Sequence, residues 1–212
     1  TQADINLYQE FLSAKQLTSR VYVMINGSDP ELLASWMQRG PLIDVDQRML
    51  TVRSIKLVAD GALGSRGAWL LEPYSDRVGH NGLPTMPVSE MQDISHLAYR
   101  NGFQIAIHAI GDRANREVLD IFDALFDGRD RGVRFRVEHA QHIHPSDIGR
   151  FARLGVIPSV QGIHMSSDRP WAIDRLGAAR VESGAYMWRS LIDSGAVLVN
   201  GTDVPVEPAD PF

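Results

Sequence analysis

The stretch Gly102-Phe103-Gln104-Ile105-Ala106-Ile107-His108-Ala109-Ile110-Gly111-Asp112 decides the fold. An amphipathic segment, Val88 to Arg100, precedes it and reads as a helix. Gly102 sits just beyond that segment, where a helix commonly stops on a residue free to take left-handed backbone. The apolar run Gln104 to His108 is too short for a helix and reads as a strand. Helical spacing then resumes from Asp112 to Phe126.

The same order of helix, glycine and strand recurs on both sides. Upstream, Ser28-Asp29-Pro30-Glu31 reads as an N-cap with proline in the first turn, and that helix stops near Gly40. Downstream, Asp112 to Phe126 ends near Gly128 before Val133 to His139. Pro145 to Leu154 ends at Gly155 before Val156 to Val160, and Ala185 to Asp193 ends at Gly195 before Ala196 to Asn200. Six strands are expected: 21–25, 55–60, 104–108, 135–139, 157–161 and 197–201. Strands alternating with helices predict an α/β domain around a parallel sheet. The Gly- and Pro-rich segment from Gly61 to Pro87 reads as a long loop of the kind that carries function.

Bulk composition narrows the function classes. The chain has 212 residues and is 44% hydrophobic, enough for one large core. A net charge of -5 argues against nucleic acid as a partner, because phosphate-backbone binding wants a basic surface. No run of about 20 apolar residues is present, so no membrane span is expected. The opening Thr1-Gln2-Ala3-Asp4 does not read as a signal peptide and lacks an initiator Met, so a processed or truncated chain is expected. There are no cysteines, which excludes disulfides and thiolate metal sites and leaves the compartment open.

Polar residues gather where the strands end. Lys56 and Asp60 lie on the second strand, His108 ends the third, His139 ends the fourth, and Asp203 follows the last. In a barrel of parallel strands the active site lies at those C-terminal ends. Period-2 alternation puts Gln104, Ala106 and His108 on one face. It likewise groups Phe135, Val137 and His139, and then Val197, Val199, Gly201 and Asp203. Two imidazoles and a carboxylate suit zinc and similar divalent ions, which turn bound water into a nucleophile near neutral pH. A lone His near a strand end is more often structural; two in register with an Asp make a metal site a serious reading. An unpaired lysine inside a closed barrel would be costly, which marks Lys56 as more than a solvated charge.

Five strings together resemble the family-3 amidohydrolases, which include N-substituted formamide deformylases. They are Ile55-Lys56-Leu57-Val58-Ala59-Asp60-Gly61-Ala62-Leu63-Gly64-Ser65-Arg66, Ala106-Ile107-His108-Ala109-Ile110-Gly111-Asp112-Arg113-Ala114, Arg136-Val137-Glu138-His139-Ala140-Gln141, Ser159-Val160-Gln161, and Gly201-Thr202-Asp203-Val204-Pro205-Val206. The resemblance implies a TIM-type (β/α)8 barrel of the metal-dependent hydrolase kind, here incomplete, with the six strands as barrel strands three to eight. It implies one or two divalent metal ions, zinc first among them. Lys56 would be the carboxylated, metal-bridging lysine, His108 and His139 metal ligands, and Asp203 both ligand and general base. Thr202 stands where relatives often have Ser. The activity implied is hydrolysis of an amide-type carbon–nitrogen bond in a small molecule.

One departure is plain. The His-x-His pair that such enzymes carry on their first strand has no counterpart before Lys56, and His142-Ile143-His144 follows a later strand and reads as loop surface. Strands one and two and the flanking β-sandwich are therefore expected to be missing from these 212 residues. The open sheet edges would then need another segment or chain, a homo-oligomer included. His164 and Gln161 are candidates for substrate contact. Asp60 reads alternatively as the holder of the Gly61–Arg66 turn, Asp112 as a helix cap, Glu138 as structural, and the four tryptophans as core or loop anchors. Two other functions stay open: a Schiff-base lyase using Lys56 as nucleophile, and a barrel fragment without catalysis.

Overall fold

The computed structural model describes residues 1–128 and 130–210. The chain forms two compact units, residues 1–57 with 92–106, and residues 58–91 with the chain from 107 onward.

The first unit opens with α1 (Gln2–Ser13), capped by Thr1 and Asp4 in a reciprocal capping box. β1 (Val21–Asn26) and α2 (Pro30–Arg39) follow. The Asp29 carboxylate caps α2 by accepting from Leu32 N at 3.0 Å, Pro30 begins it, and Gly40 ends it at φ 77°, as the sequence predicts. β2 (Leu42–Asp44) and the single turn α3 (Val45–Arg48) lead into β3 (Leu50–Val58). Most of α4 (Val88–Arg100) and the start of β4 (Gln104–Ala109) complete the unit. β1 and β3 pair in parallel, with Asn26 opposite Lys56, and β2 lies antiparallel to β3. Trp36 is fully buried, and its indole N–H donates to Gln2 Oε1 at 3.0 Å.

Three elements here, α1, β2 and α3, were not expected. β3 begins at Leu50 rather than Ile55, because Leu50-Thr51-Val52 already pairs with β1. It ends at Val58, so Asp60 lies beyond the strand and not on it.

The second unit contains the end of β4, then α5 (Asp112–Phe126) and β5 (Arg136–His139). A 3-10 turn (Pro145–Asp147) runs into α6 (Ile148–Leu154), which Gly155 closes at φ 63° before β6 (Ile157–Val160). Four short helices follow: α7 (His164–Ser167), α8 (Arg169–Leu176), α9 (Ala178–Gly184) and α10 (Trp188–Asp193). The last strand, β7 (Val199–Asn200), has two residues where five were expected. β5 pairs with β6 and β6 with β7, both in parallel. Phe122 and Phe126 of α5 meet Phe135 with ring centroids 5.2 and 5.1 Å apart, which fastens the helix onto the entry to β5.

The sheet path is β1-β3-β4 in the first unit and β4-β5-β6-β7 in the second. All six expected strands lie on it in chain order. Six strands separated by helices are the α/β arrangement of an incomplete (β/α)8 barrel.

Candidate active site

The second unit brings the strand-end histidines together. His108 lies one residue before the end of β4 and His139 ends β5. Their rings meet edge to face with centroids 4.4 Å apart and planes at 69°. His164, the first residue of α7, lies nearly parallel to His139 with centroids 6.1 Å apart. His108, His139, His164 and Asp203 line one cavity of about 360 Å³, with Asp168 and Trp171 on its wall.

The backbone at the end of β5 is unusual. His139 and Ala140 both have positive φ, 75° and 43°, in a region that L-residues with a Cβ enter at a cost. Strict alternation therefore stops short of His139: Val137, Glu138 and His139 are all buried. Glu138 pairs with Arg136 at 2.8 Å, a structural contact. His139 Nδ1 lies 2.7 Å from Gln161 Oε1. An amide oxygen only accepts, so Nδ1 donates and Nε2 keeps the lone pair a metal or substrate proton would use. Gln161 thus holds a histidine, and its Nε2 donates to Ser159 O at 3.4 Å.

Asp203 lies three residues past β7, exposed, in a turn where Val206 N donates to its carbonyl at 2.8 Å. It too has positive φ, 57°. Its place on the cavity comes from this turn and not from strand phase, because the strand ends at Asn200. Lys56 belongs to the first unit. It is half-buried on β3, and its Nζ lies 3.4 Å from the Leu57 carbonyl.

A framework of backbone donors holds the cavity wall. The Asp60 carboxylate is fully buried and accepts from Ile110 N at 3.0 Å and from Gly111 N and Trp69 N at 2.8 Å. It therefore ties down the Gly-rich loop at Trp69, just beyond the Gly61–Arg66 turn. Asp112 is not the N-cap of α5; Gly111 holds that position, and Asp112 Oδ1 accepts from Leu71 N at 2.9 Å. Gly111 is required by close approach, since a Cβ there would lie 2.0 Å from the Trp69 carbonyl oxygen. Leu63, Ala68, Leu70 and Tyr74 of the loop join Ile110, Leu176 and Ala185 in an apolar cluster beside the cavity.

His142 corrects the loop-surface reading of His142-Ile143-His144: His142 and Ile143 are buried and only His144 is exposed. Burial lowers the basicity of His142, against the pull of Asp112 at 3.6 Å. The polar side of the cavity was also missed. Burial pushes the Asp168 carboxyl above the usual carboxylate range, although Tyr186 Oη and Gln141 Nε2 each donate to it at 2.8 Å. The Tyr186 hydroxyl is itself pushed well up by burial and by that contact. Trp171 packs against the apolar loop cluster, as an anchor, and also lines the cavity. Asp168-Arg169-Pro170 carried the available signal, a proline in the first turn of a helix.

The residues fit a divalent ion in part. Two adjacent imidazoles supply the nitrogen donors such ions take. Nε2 of His164 is buried without a hydrogen-bond partner among the described residues. Among those residues, no three His, Asp or Glu side chains are grouped closely enough to hold an ion on their own.

A βα sheet with histidines at its strand ends around a cavity defines the class of metal-dependent hydrolase barrels. This chain belongs to the amidohydrolase family, in its family-3 branch; the family model matches residues 1–212. It is 33% identical over 211 residues to Protein LONG AFTER FAR-RED 3 of Arabidopsis thaliana, covering 99% of this chain and 35% of that protein. It is 37% identical over 159 residues to YtcJ of Bacillus subtilis (strain 168), covering 75% of this chain and 30% of that protein. Among solved structures, an uncharacterized metal-dependent hydrolase from Pyrococcus furiosus matches with TM-score 0.85 and 31% identity over 98% of this chain and 42% of its own. Its counterpart from Pyrococcus horikoshii OT3 matches with TM-score 0.84 and 34% identity, over 99% and 40%. The chain thus spans about a third of the curated relatives it matches.

Proposed function

We propose that the protein carrying this chain hydrolyses an amide-type carbon–nitrogen bond in a small molecule. The supporting observation is one cavity that joins His108, His139, His164 and Asp203 in a member of the amidohydrolase family. His108 and His139 would hold a divalent ion, zinc being one that imidazole donors suit. The ion supplies Lewis-acid polarisation of the carbonyl and acidification of water.

The side chains supply the rest. Asp203 takes the proton of the attacking water as its oxygen bonds to the carbonyl carbon. It returns that proton to the nitrogen as the C–N bond breaks, so a carboxylic acid and an amine leave. Gln161 holds His139 in the tautomer that presents Nε2. His164 faces the substrate, and Leu63, Ile110 and Trp171 exclude water around the scissile bond. The test is metal content of the full-length protein, with turnover on simple N-acyl amines. His108→Ala and His139→Ala should each lose metal and turnover together. A full-length protein that binds no divalent ion would sink the reading. So would reductive trapping of substrate on Lys56, which marks a Schiff base.

A further inference from the structure

We infer that Asp60 is a positioning residue: it sets which ring nitrogen His108 presents to the cavity, and it ties that nitrogen to the loop forming the cavity wall. The inference rests on the proposed metal role of His108 and names a residue that role does not include.

Four donors face the two Asp60 oxygens. Oδ2 receives Gly111 N and Trp69 N, both at 2.8 Å. Oδ1 receives Ile110 N at 3.0 Å and faces His108 Nε2 at 3.4 Å. The side chain is fully buried. His108 Nε2 is buried too, with no hydrogen-bond partner among the described residues. A proton on Nε2 is therefore placed beside a carboxylate oxygen, and a small ring rotation closes the contact to an N–H···O bond. A lone pair on Nε2 would instead face that oxygen, which is repulsive. The favoured tautomer of His108 carries its proton on Nε2 and keeps the Nδ1 lone pair for a ligand. His139 is set the other way, with Nδ1 donating to Gln161. Two neighbouring imidazoles are thus oriented by two different acceptors and present opposite nitrogens.

The same carboxylate reaches the wall. Ala62, Leu63 and Gly64 line the cavity, and their loop returns to Asp60 through Trp69 N. The Trp69 carbonyl accepts in turn from Arg113 N and Ala114 N at the start of α5 at 3.1 and 3.2 Å. Loop, helix start and histidine share one anchor.

Asp60→Asn is the direct test. Whichever way the amide turns, its NH2 group must face two of the four donors. With the amide oxygen kept on the two backbone donors of the Oδ2 side, the NH2 group faces His108 and favours the proton on Nδ1. In the full-length protein with 15N-labelled histidine, the metal-free wild type should show His108 as the Nε2–H tautomer. Asp60→Asn should shift it toward Nδ1–H and weaken zinc binding by about 10–100-fold, the usual effect of losing such an outer partner. KM should change less than kcat. If Asp60→Asn does not fold, the wild-type spectrum alone decides, and a Nδ1–H tautomer there overturns the inference. So does a folded Asp60→Asn with unchanged tautomer and zinc affinity. A wild-type protein that shows the Nε2–H tautomer yet never binds zinc overturns the metal reading and leaves the positioning of His108 standing.

Discussion

Two aspartates mark opposite conditions within the second unit. Asp60 is fully buried, with three backbone N–H groups and an imidazole against its two oxygens. Asp203 is exposed, and the contact that shapes its turn is made by its backbone carbonyl, not by its carboxylate. Both lie near strand ends, where the sequence offers Asp203 as ligand and base and Asp60 as the holder of a turn. Surroundings separate them: a carboxylate whose lone pairs are filled by fixed donors can orient other groups but has nothing to spare for a substrate proton. A carboxylate open to the cavity can accept one and pass it on.

The sharpest way to break this contrast is Asp203→Asn in the full-length, metal-loaded protein. The amide keeps the shape and removes the basic oxygen, so kcat should fall by about 10²–10⁴-fold. Melting temperature and metal content should stay close to wild type. Near-normal turnover on an amide substrate would hand the general-base role to another residue. Asp60→Ala should behave oppositely, because it strands three buried N–H donors. A loss of about 3 kcal/mol or more in unfolding free energy is expected from urea titration. A variant as stable as wild type would show that Asp60 is not the anchor of the wall.

The wall itself can be probed with one methyl group. Gly111→Ala drives a Cβ against the Trp69 carbonyl and should cost about 1–3 kcal/mol. Gly201→Ala, on the Asp203 side, meets nothing within 4 Å among the described residues and should stay within about 0.5 kcal/mol of wild type. The subtlest test is pH. His142 has its basicity lowered in the folded state, so the unfolded chain binds the proton more readily. The stability this provides is complete above the ordinary imidazole value of 6.5 and declines as pH falls below it. His142→Gln should flatten that decline in urea midpoints measured from pH 7.5 to 5.5. An unchanged slope would mean that other groups cause it.

Much of the fold was legible because its punctuation is local. Asp29-Pro30 with Gly40, Gly102 and Gly155 mark helix ends through backbone preferences of single residues, and the sheet path follows from the strands between them. The segment from Gln161 to Tyr186 was not legible. Its helices α7, α8 and α9 are one or two turns long, too short for a 3.6-residue period to register, and α8 and α9 pack Leu176 and Val181 against the loop cluster. In the site, His108 and His139 stood out because imidazoles at the ends of apolar strands are chemically conspicuous. Asp168, Gln141 and Tyr186 did not, because their roles arise from contacts between residues 18 to 45 positions apart. His142 was misread for a similar reason: its burial is imposed by Ile110, Asp112 and Gly184, none of them its neighbours in sequence.

The two left-handed residues that end β5 bear on the order in which the site comes into being. A free chain avoids that conformation at His139 and at Ala140, each by about 1–2 kcal/mol. Together that is about 2–4 kcal/mol, so the pose of His139 is only a minor one in the unfolded ensemble and in isolated peptides of this segment; the finished sheet must impose it. A chain still emerging, or locally melted, would present histidines but not their arrangement. Acquisition of the proposed ion would then follow folding instead of nucleating it.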